Sequence, residues 1–170
     1  MAVTQIDTGT IGEDIGLLTS MRTARAIRRL KSDPVPEALL HEVCELGTYA
    51  PSGGNCQRWY FVAVFEVSRR QKIADYYSRA FESYIAPAID AAKDPAYPEA
   101  KRRNMKAAIY LAELLHELPV HLFVGGWTRR GAPQTQALFP AIQNILLACR
   151  AIEPVSYTHL RAHETVLDLG

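Results

Sequence analysis

The stretch APSGGNCQRWYFVAV, residues 50–64, decides the fold, because a polar, glycine-bearing loop runs directly into an apolar, β-favouring segment. We call residues 50–59 the glycine loop; it contains two adjacent glycines together with Ser52, Asn55 and Gln57. Glycines let a ligand approach the main chain, and the polar side chains offer hydrogen bonds to hydroxyls or ring heteroatoms. The same residues also suit a helix stop with left-handed geometry, so the residues alone support a ligand site and a plain turn equally.

Length and composition describe one ordinary globular domain. The chain has 170 residues, of which 48% are hydrophobic and 22% are charged, and this length suffices to bury a core. A formal net charge of +1 argues against a chain-wide role in nucleic-acid or membrane binding. Cys44, Cys56 and Cys149 show neither metal nor redox-pair spacing, and no apolar run is long enough to cross a bilayer. The sequence therefore predicts a cytoplasmic protein.

Apolar periodicity predicts helices that alternate with short, buried strands, and hence an α+β fold. The predicted helices cover residues 17–30, 36–47, 69–84, 102–118 and 138–151, and the predicted strands cover residues 60–65 and 120–126. We expect residues 1–13 to form a loose N-terminal arm and residues 14–152 to form the domain.

Four arginines in the first predicted helix form a second candidate site, which we call the arginine segment (residues 22–29). Arg22, Arg25 and Arg29 are three and four residues apart, with Arg28 beside them, so a helix would place them on one face. No acidic residue lies between positions 20 and 32. Arginine grips phosphate through a planar, two-pronged fork. Taken alone, the segment is better explained as a solvent-exposed face that keeps the protein soluble than as a phosphate site.

Three further features of the sequence are better explained by a structural role, or by no role, than by catalysis or metal binding. His159 and His163 are spaced for one helical face and precede Glu164, but they lack a second ligand cluster, so we expect no metal site. Cys56 has no histidine beside it in the sequence, which favours a small packing residue over a nucleophile. Trp59 adjoins the predicted strand and is typical of a core residue or loop anchor.

The arginine segment, a helix and the glycine loop, in this order, resemble the nitroreductase family of flavin enzymes. In that family an Arg-x-x-Arg-like segment holds the phosphate of flavin mononucleotide (FMN), and a Pro-Ser-x-x-Asn-x-Gln-Pro-Trp loop reaches the flavin from the dimer partner. Arg58 stands where proline is usual, and Ala26 where serine is common. The cofactor-binding candidates are Arg25, Ala26, Arg28, Pro51, Ser52, Gly53, Asn55 and Gln57. The resemblance covers residues 21–151, including LPVHLFVGG and FPAIQNILLACRA.

The resemblance implies a mixed sheet surrounded by helices in an intertwined homodimer with FMN at the interface. It also implies ping-pong chemistry, in which NAD(P)H reduces the flavin and the flavin reduces a nitroaromatic, quinone or similar acceptor. A flavin carries the reactive atoms itself, so we name no catalytic acid or base. Dehalogenating and flavin-fragmenting relatives share this scaffold. The alternative from another class is a non-catalytic remnant or interaction module that does not hold flavin.

The sequence after about Ile152 departs from the family. Relatives continue with a Leu-Gly-Leu-Gly-like turn, another strand and a late basic residue, whereas this chain reads IEPVSYTHLRAHETVLDLG. The run SYTHLRAHETVLDL resembles a translated library-adapter tail. We therefore expect a C-terminally truncated family member with an incomplete fold, in which residues 153–170 are a non-family tail and the two histidines have no function.

Overall fold

A computed structural model describes residues 15–127 and 138–152, and within them helices alternate with two strands. The arm at residues 1–13 and the tail at residues 153–170 lie outside the described residues. The elements are α1 (Leu17–Thr23), α2 (Glu37–Thr48), β1 (Trp59–Val64), α3 (Val67–Ala91), α4 (Glu99–Leu114), β2 (His121–Gly126) and α5 (Phe139–Ala151). Short 3-10 turns occupy Gly53–Asn55 and Leu115–Glu117. This mixture of helices and a small sheet confirms the predicted α+β class.

Helix α5 lies at the centre of the main core. Ala141 and Ile145 have no exposed surface, and Ile145 packs against Gly47 of α2. A Cβ atom at Gly47 would lie 2.8 Å from Cγ1 of Ile145, so α2 approaches α5 this closely because Gly47 has no side chain. The remaining buried residues of this core are Leu39, Val43, Ala148, Cys149 and Ile152. Helix α2 turns Leu39, Leu40, Val43 and Gly47 into the interior.

The two strands pair antiparallel, with Trp59 opposite Gly126. Because side chains alternate along a strand, one face of the sheet carries Phe61, Leu122 and Val124, and these three pack on the main core. The other face carries Tyr60, which is half exposed. The prediction that both strands are buried is therefore correct for one face and wrong for most of the other, where Tyr60, Val62 and Phe123 are exposed.

Helices α3 and α4 form a hairpin with a second small core of Phe81, Ile85 and Ala112. Helix α3 extends past the predicted end near residue 84 and includes Pro87. The turn between the helices is held by Arg102, whose guanidinium donates hydrogen bonds to three main-chain carbonyls, those of Ala92, Asp94 and Tyr97. None of the described helices is long and apolar enough to span a lipid bilayer.

Helix α1 ends at Thr23, so the prediction of a helix through the arginine segment is wrong. Ala24 leaves the helix with φ −56° and ψ 130°. The hydroxyl of Thr23 accepts a hydrogen bond of 2.8 Å from Nε of Arg150 on α5, which fixes this end of the helix against the core. Beyond it Arg25, Arg28 and Arg29 leave few apolar side chains for a helix to bury, and most helical stability comes from such burial. Only Arg22 lies on a helix, so the stripe on one helical face does not exist.

His121 lies buried at the start of β2. Its Nε2 atom is 2.8 Å from the carbonyl oxygen of Leu115 and therefore donates, while Nδ1 has no partner among the described residues. Burial lowers the pKa of His121 from its ordinary value of 6.5, the bond to Leu115 raises it, and the positive charge of Arg70 lowers it further. The guanidinium of Arg70 is fixed nearby by the carbonyls of His116 and Leu118.

We predict that Gly47→Ala destabilises the protein. The new methyl group would lie within 3 Å of two side-chain carbons of Ile145, which is fully buried. Such overpacking costs about 1–3 kcal/mol, which outweighs the gain of about 0.5–1 kcal/mol from replacing a helical glycine. Urea denaturation measures the free energy of unfolding. Gly53→Ala is the control, since nothing lies within 4 Å of a Cβ at Gly53, and it should change that free energy by less than about 0.5 kcal/mol. A Gly47→Ala protein as stable as the wild type would contradict the close packing.

We also predict that His121→Gln flattens the pH dependence of stability. Because the pKa of His121 is lower in the folded than in the unfolded chain, the unfolded chain binds the extra proton first. Folding stability from this residue is thus complete above the ordinary value of 6.5 and is lost as the pH falls below it, by up to about 1.4 kcal/mol per pH unit. Urea titrations near neutral pH and in mild acid measure this slope, and glutamine still offers a donor to Leu115. An unchanged slope in His121→Gln would show that this imidazole is not the group responsible.

Candidate functional site

The glycine loop does not terminate the helix that precedes it. Helix α2 ends at Thr48, and its capping residue Tyr49 has ordinary helical angles, so no glycine of the loop terminates it. The left-handed residues come later, at Gly54 with φ 60°, Asn55 with φ 52° and Gln57 with φ 47°. Non-glycine residues rarely adopt this region, and each costs about 1–3 kcal/mol. The loop is therefore not a helix stop, and its assignment as a ligand site stays a prediction.

Ser52 holds the loop in this conformation. Its hydroxyl accepts a 3.1 Å hydrogen bond from the backbone N–H of Gln57, and its carbonyl accepts one of 2.9 Å from the N–H of Asn55. The side-chain amides of Asn55 and Gln57 have no hydrogen-bond partner among the described residues, and both residues are exposed. The loop therefore presents two amides and the open backbone of Gly53 on a fixed frame, with exposed Pro51 at its start.

The arginine segment begins at the end of α1, and its residues 24–29 have no regular secondary structure. Arg25 is exposed, and its Nη1 donates a 2.6 Å hydrogen bond to the carbonyl of Ala24. Ala26 is exposed and Arg28 is half-buried. Arg29 is directed to α4, where its guanidinium lies 5.5 Å from the ring centroid of Tyr110. The arginines thus diverge, but none of the four forms an ion pair with a described carboxylate. Their positive charges are consequently available to an anion such as phosphate.

The two candidate segments do not meet in one chain. Among residues 15–127 and 138–152, no hydrogen bond, ion pair or ring contact joins Arg25, Ala26 or Arg28 to the glycine loop. The structure brings together Ser52, Asn55 and Gln57, and it leaves the arginine segment separate. Among the described residues, these contacts therefore do not connect the two candidate segments.

Three other sequence-based interpretations have different outcomes. Cys56 is exposed, so its assignment as a packing residue is wrong; its thiol lies 3.9 Å from the carbonyl of Gly54. Trp59 is half-buried at the first position of β1, as expected of a loop anchor. His159 and His163 lie outside the described residues. Within the part of the chain that the structure does describe, no three His, Cys, Asp or Glu residues cluster as metal ligands.

Sequence reasoning missed the pair formed by Arg58 and Trp127. The guanidinium of Arg58 lies 5.6 Å from the ring centroid of Trp127, and the N–H of Trp127 donates a 3.0 Å hydrogen bond to the carbonyl of Arg58. The two residues are far apart in the sequence, with α3 and α4 between them, and only the strand register brings them together. The sole signal in the sequence was the arginine at a position where proline is usual in the resembled family.

Comparisons with known proteins identify the family. Residues 21–153 match the family described as the nitroreductase family. A 5,6-dimethylbenzimidazole synthase of Rhodospirillum rubrum is 31% identical over 80% of this chain and 64% of its own length. An NADH dehydrogenase of Thermus thermophilus is 39% identical over 34% of this chain and 28% of its own length. The aligned parts thus span less than two thirds of either relative.

The fold comparison agrees with the sequence comparison. The crystal structure of an oxidised iodotyrosine deiodinase bound to FMN and 3-iodo-L-tyrosine superposes with a TM-score of 0.62 at 20% identity. The superposition covers 79% of this chain and 69% of the deiodinase chain. The match over residues 21–153 is most of the chain, so this protein belongs to the nitroreductase family.

Proposed function

We propose that this chain, paired with a second copy of itself, is an FMN-dependent oxidoreductase that uses NAD(P)H to reduce nitroaromatics, quinones or similar acceptors. The observation that carries the proposal is the glycine loop, which holds Asn55 and Gln57 in left-handed backbone conformations without capping a helix. Backbone strain of this kind is typical of ligand-binding segments. Residues 14–152 would form the working domain.

The side-chain types in the two candidate segments match the chemical groups of FMN. A phosphate group requires cations, and Arg25 and Arg28 supply guanidinium groups that no described carboxylate neutralises. Ala26 between them leaves the backbone accessible to the phosphate. The polar edge of a flavin ring requires donors and acceptors, and the unpaired amides of Asn55 and Gln57 supply both. The position and orientation of these amides would be fixed by the start of the loop, which consists of Pro51, Ser52 and Gly53.

The chemistry that FMN supplies when bound is hydride acceptance from a reduced nicotinamide and electron delivery to the acceptor. The chain's own residues therefore need to bind and orient rather than to transfer protons. This agrees with a glycine loop that contains amides, a hydroxyl and glycines but no acid or histidine. The similar NADH dehydrogenase supports a reduced nicotinamide as the donor.

A homodimer would unite the two partial sites. Since the arginine segment and the glycine loop do not contact each other within one chain, the loop of one subunit would reach the FMN held by the arginines of the other. The three cysteines are all free, which is consistent with the proposed cytoplasmic location.

We predict that Arg25→Ala weakens FMN binding much more than it weakens folding. A charge-assisted hydrogen bond to an anion is worth about 1.5–3 kcal/mol, so the dissociation constant should rise roughly tenfold to a hundredfold. Because Arg25 is exposed, the free energy of unfolding should change by less than about 0.5 kcal/mol. Titration of the full-length protein with FMN, followed by quenching of flavin fluorescence, measures the affinity.

Arg79→Ala is the matched control, because Arg79 is exposed on α3 and its loss changes the net charge equally. It should leave FMN affinity within about twofold of the wild type. Equal affinity in Arg25→Ala and wild type would refute the phosphate contact. A colourless wild-type protein that cannot be reconstituted with FMN would instead support the alternative, a remnant or interaction module without flavin.

A further inference from the structure

The pair of Arg58 and Trp127 lies at the end of the sheet that adjoins the glycine loop. Arg58 follows directly after Gln57, and the antiparallel register that pairs Trp59 with Gly126 continues outward to place Arg58 opposite Trp127. Both side chains are exposed, Trp127 by 51%. An indole ring and a guanidinium plane are thus presented to solvent immediately beside the loop.

The charge of Arg58 is not neutralised within the described residues. Its guanidinium contacts the indole of Trp127 and forms no ion pair or hydrogen bond there. The cation is held by a flat apolar surface instead of by a carboxylate, so its donors remain available to a ligand. Structural arginines more commonly satisfy these donors within the protein, as Arg102 does at the turn between α3 and α4.

The neighbouring positions on the same face make the surface flat and apolar. Tyr60 lies over Gly125, where a Cβ atom would meet its ring at 2.3 Å, so no side chain rises between the two strands at this point. Next to the pair, this face of the sheet therefore presents the ring of Tyr60, which lies directly on the backbone of Gly125. A planar ligand could lie against this surface with its charged group directed at Arg58.

We propose that Arg58 and Trp127 form a subsite that selects planar aromatic electron acceptors carrying a carboxylate or another anionic group. The aromatic part stacks on the indole, and the anion receives two parallel hydrogen bonds from the guanidinium. This role rests on the proposed function, because it assigns the substrate preference of that flavin site. Arg58 and Trp127 are specificity residues and take no part in electron transfer.

A fluorescence titration tests the subsite without FMN. The chain has two tryptophans, so Trp59→Phe leaves Trp127 as the only reporter in the full-length protein. The probes are 4-nitrobenzoate and 4-nitrobenzyl alcohol, which have the same ring and differ in charge. We expect 4-nitrobenzoate to quench Trp127 at a roughly tenfold lower concentration, the factor that one charge-assisted contact provides.

Variants at Arg58 show whether this residue causes the preference. Arg58→Gln should reduce the preference for 4-nitrobenzoate to less than about twofold, while Arg58→Lys, which keeps the charge without the fork, should retain part of it. Circular dichroism confirms that each variant is folded. Equal quenching by the two probes in the Trp59→Phe protein would overturn the subsite. So would poor quenching of Trp127 by acrylamide, because it would mean that another subunit covers the pair.

Steady-state kinetics of the FMN-loaded protein separate the inference from the proposed function. The ratio of kcat/KM for 4-nitrobenzoate to that for 4-nitrobenzyl alcohol should fall by roughly tenfold in Arg58→Gln, and KM for NADH should not change. A matching rise in KM for NADH would overturn the assignment to the acceptor. Activity with an unchanged ratio would overturn the subsite and leave the proposed function standing. Failure to bind FMN would overturn the proposed function and, with it, the subsite's role in acceptor choice.

Discussion

The contact between Gly47 and Ile145 sets the spacing of α2 and α5, and the glycine loop and the sheet are supported by these two helices. Helix α2 leads directly into the glycine loop, while α5 supports the sheet through the core that contains Phe61. Both ends of the loop are therefore anchored on one packed core. Because protein interiors are close-packed and resist small displacements, the loop can hold strained residues such as Gln57 at a defined place.

The same core also determines the shape of the arginine segment. Helix α1 is tied to α5 by the side chain of Arg150 and by a 3.2 Å backbone hydrogen bond from Ile15 to Ala151. The chain is thus fixed at Thr23 and again where α2 begins at Glu37. Between these points it has no regular secondary structure, so its guanidinium groups do not line one helical face. Phosphate recognition would then depend on individual arginines and accessible backbone, with little contribution from a helix.

Much of the fold could be predicted from the sequence because its signals are local. The helical spacing of Leu39 and Val43 predicted α2, and the apolar run before residue 151 predicted α5. The errors arose where distant residues decide the outcome. The end of α1 depends on Arg150, which lies 127 positions beyond Thr23, and the exposed sheet face depends on which elements cover it. The glycine loop and the arginine segment were identified by residue type, whereas the lack of contact between them required coordinates.

The strand register links the glycine loop to the Arg58–Trp127 pair. A shift of β1 by one residue would move every side chain of the strand to the opposite face. Such a shift would direct Arg58 toward the core and would bury a charge without a partner, at a cost of several kcal/mol. Burial of Phe61 against the main core excludes the shifted register. The apolar face of β1 therefore keeps Arg58 in solvent beside Trp127. Because Gln57 directly precedes Arg58, the same register also fixes the position of Gln57 at the end of the glycine loop. The residues proposed to hold the flavin and those proposed to select the acceptor are positioned by one hydrophobic constraint.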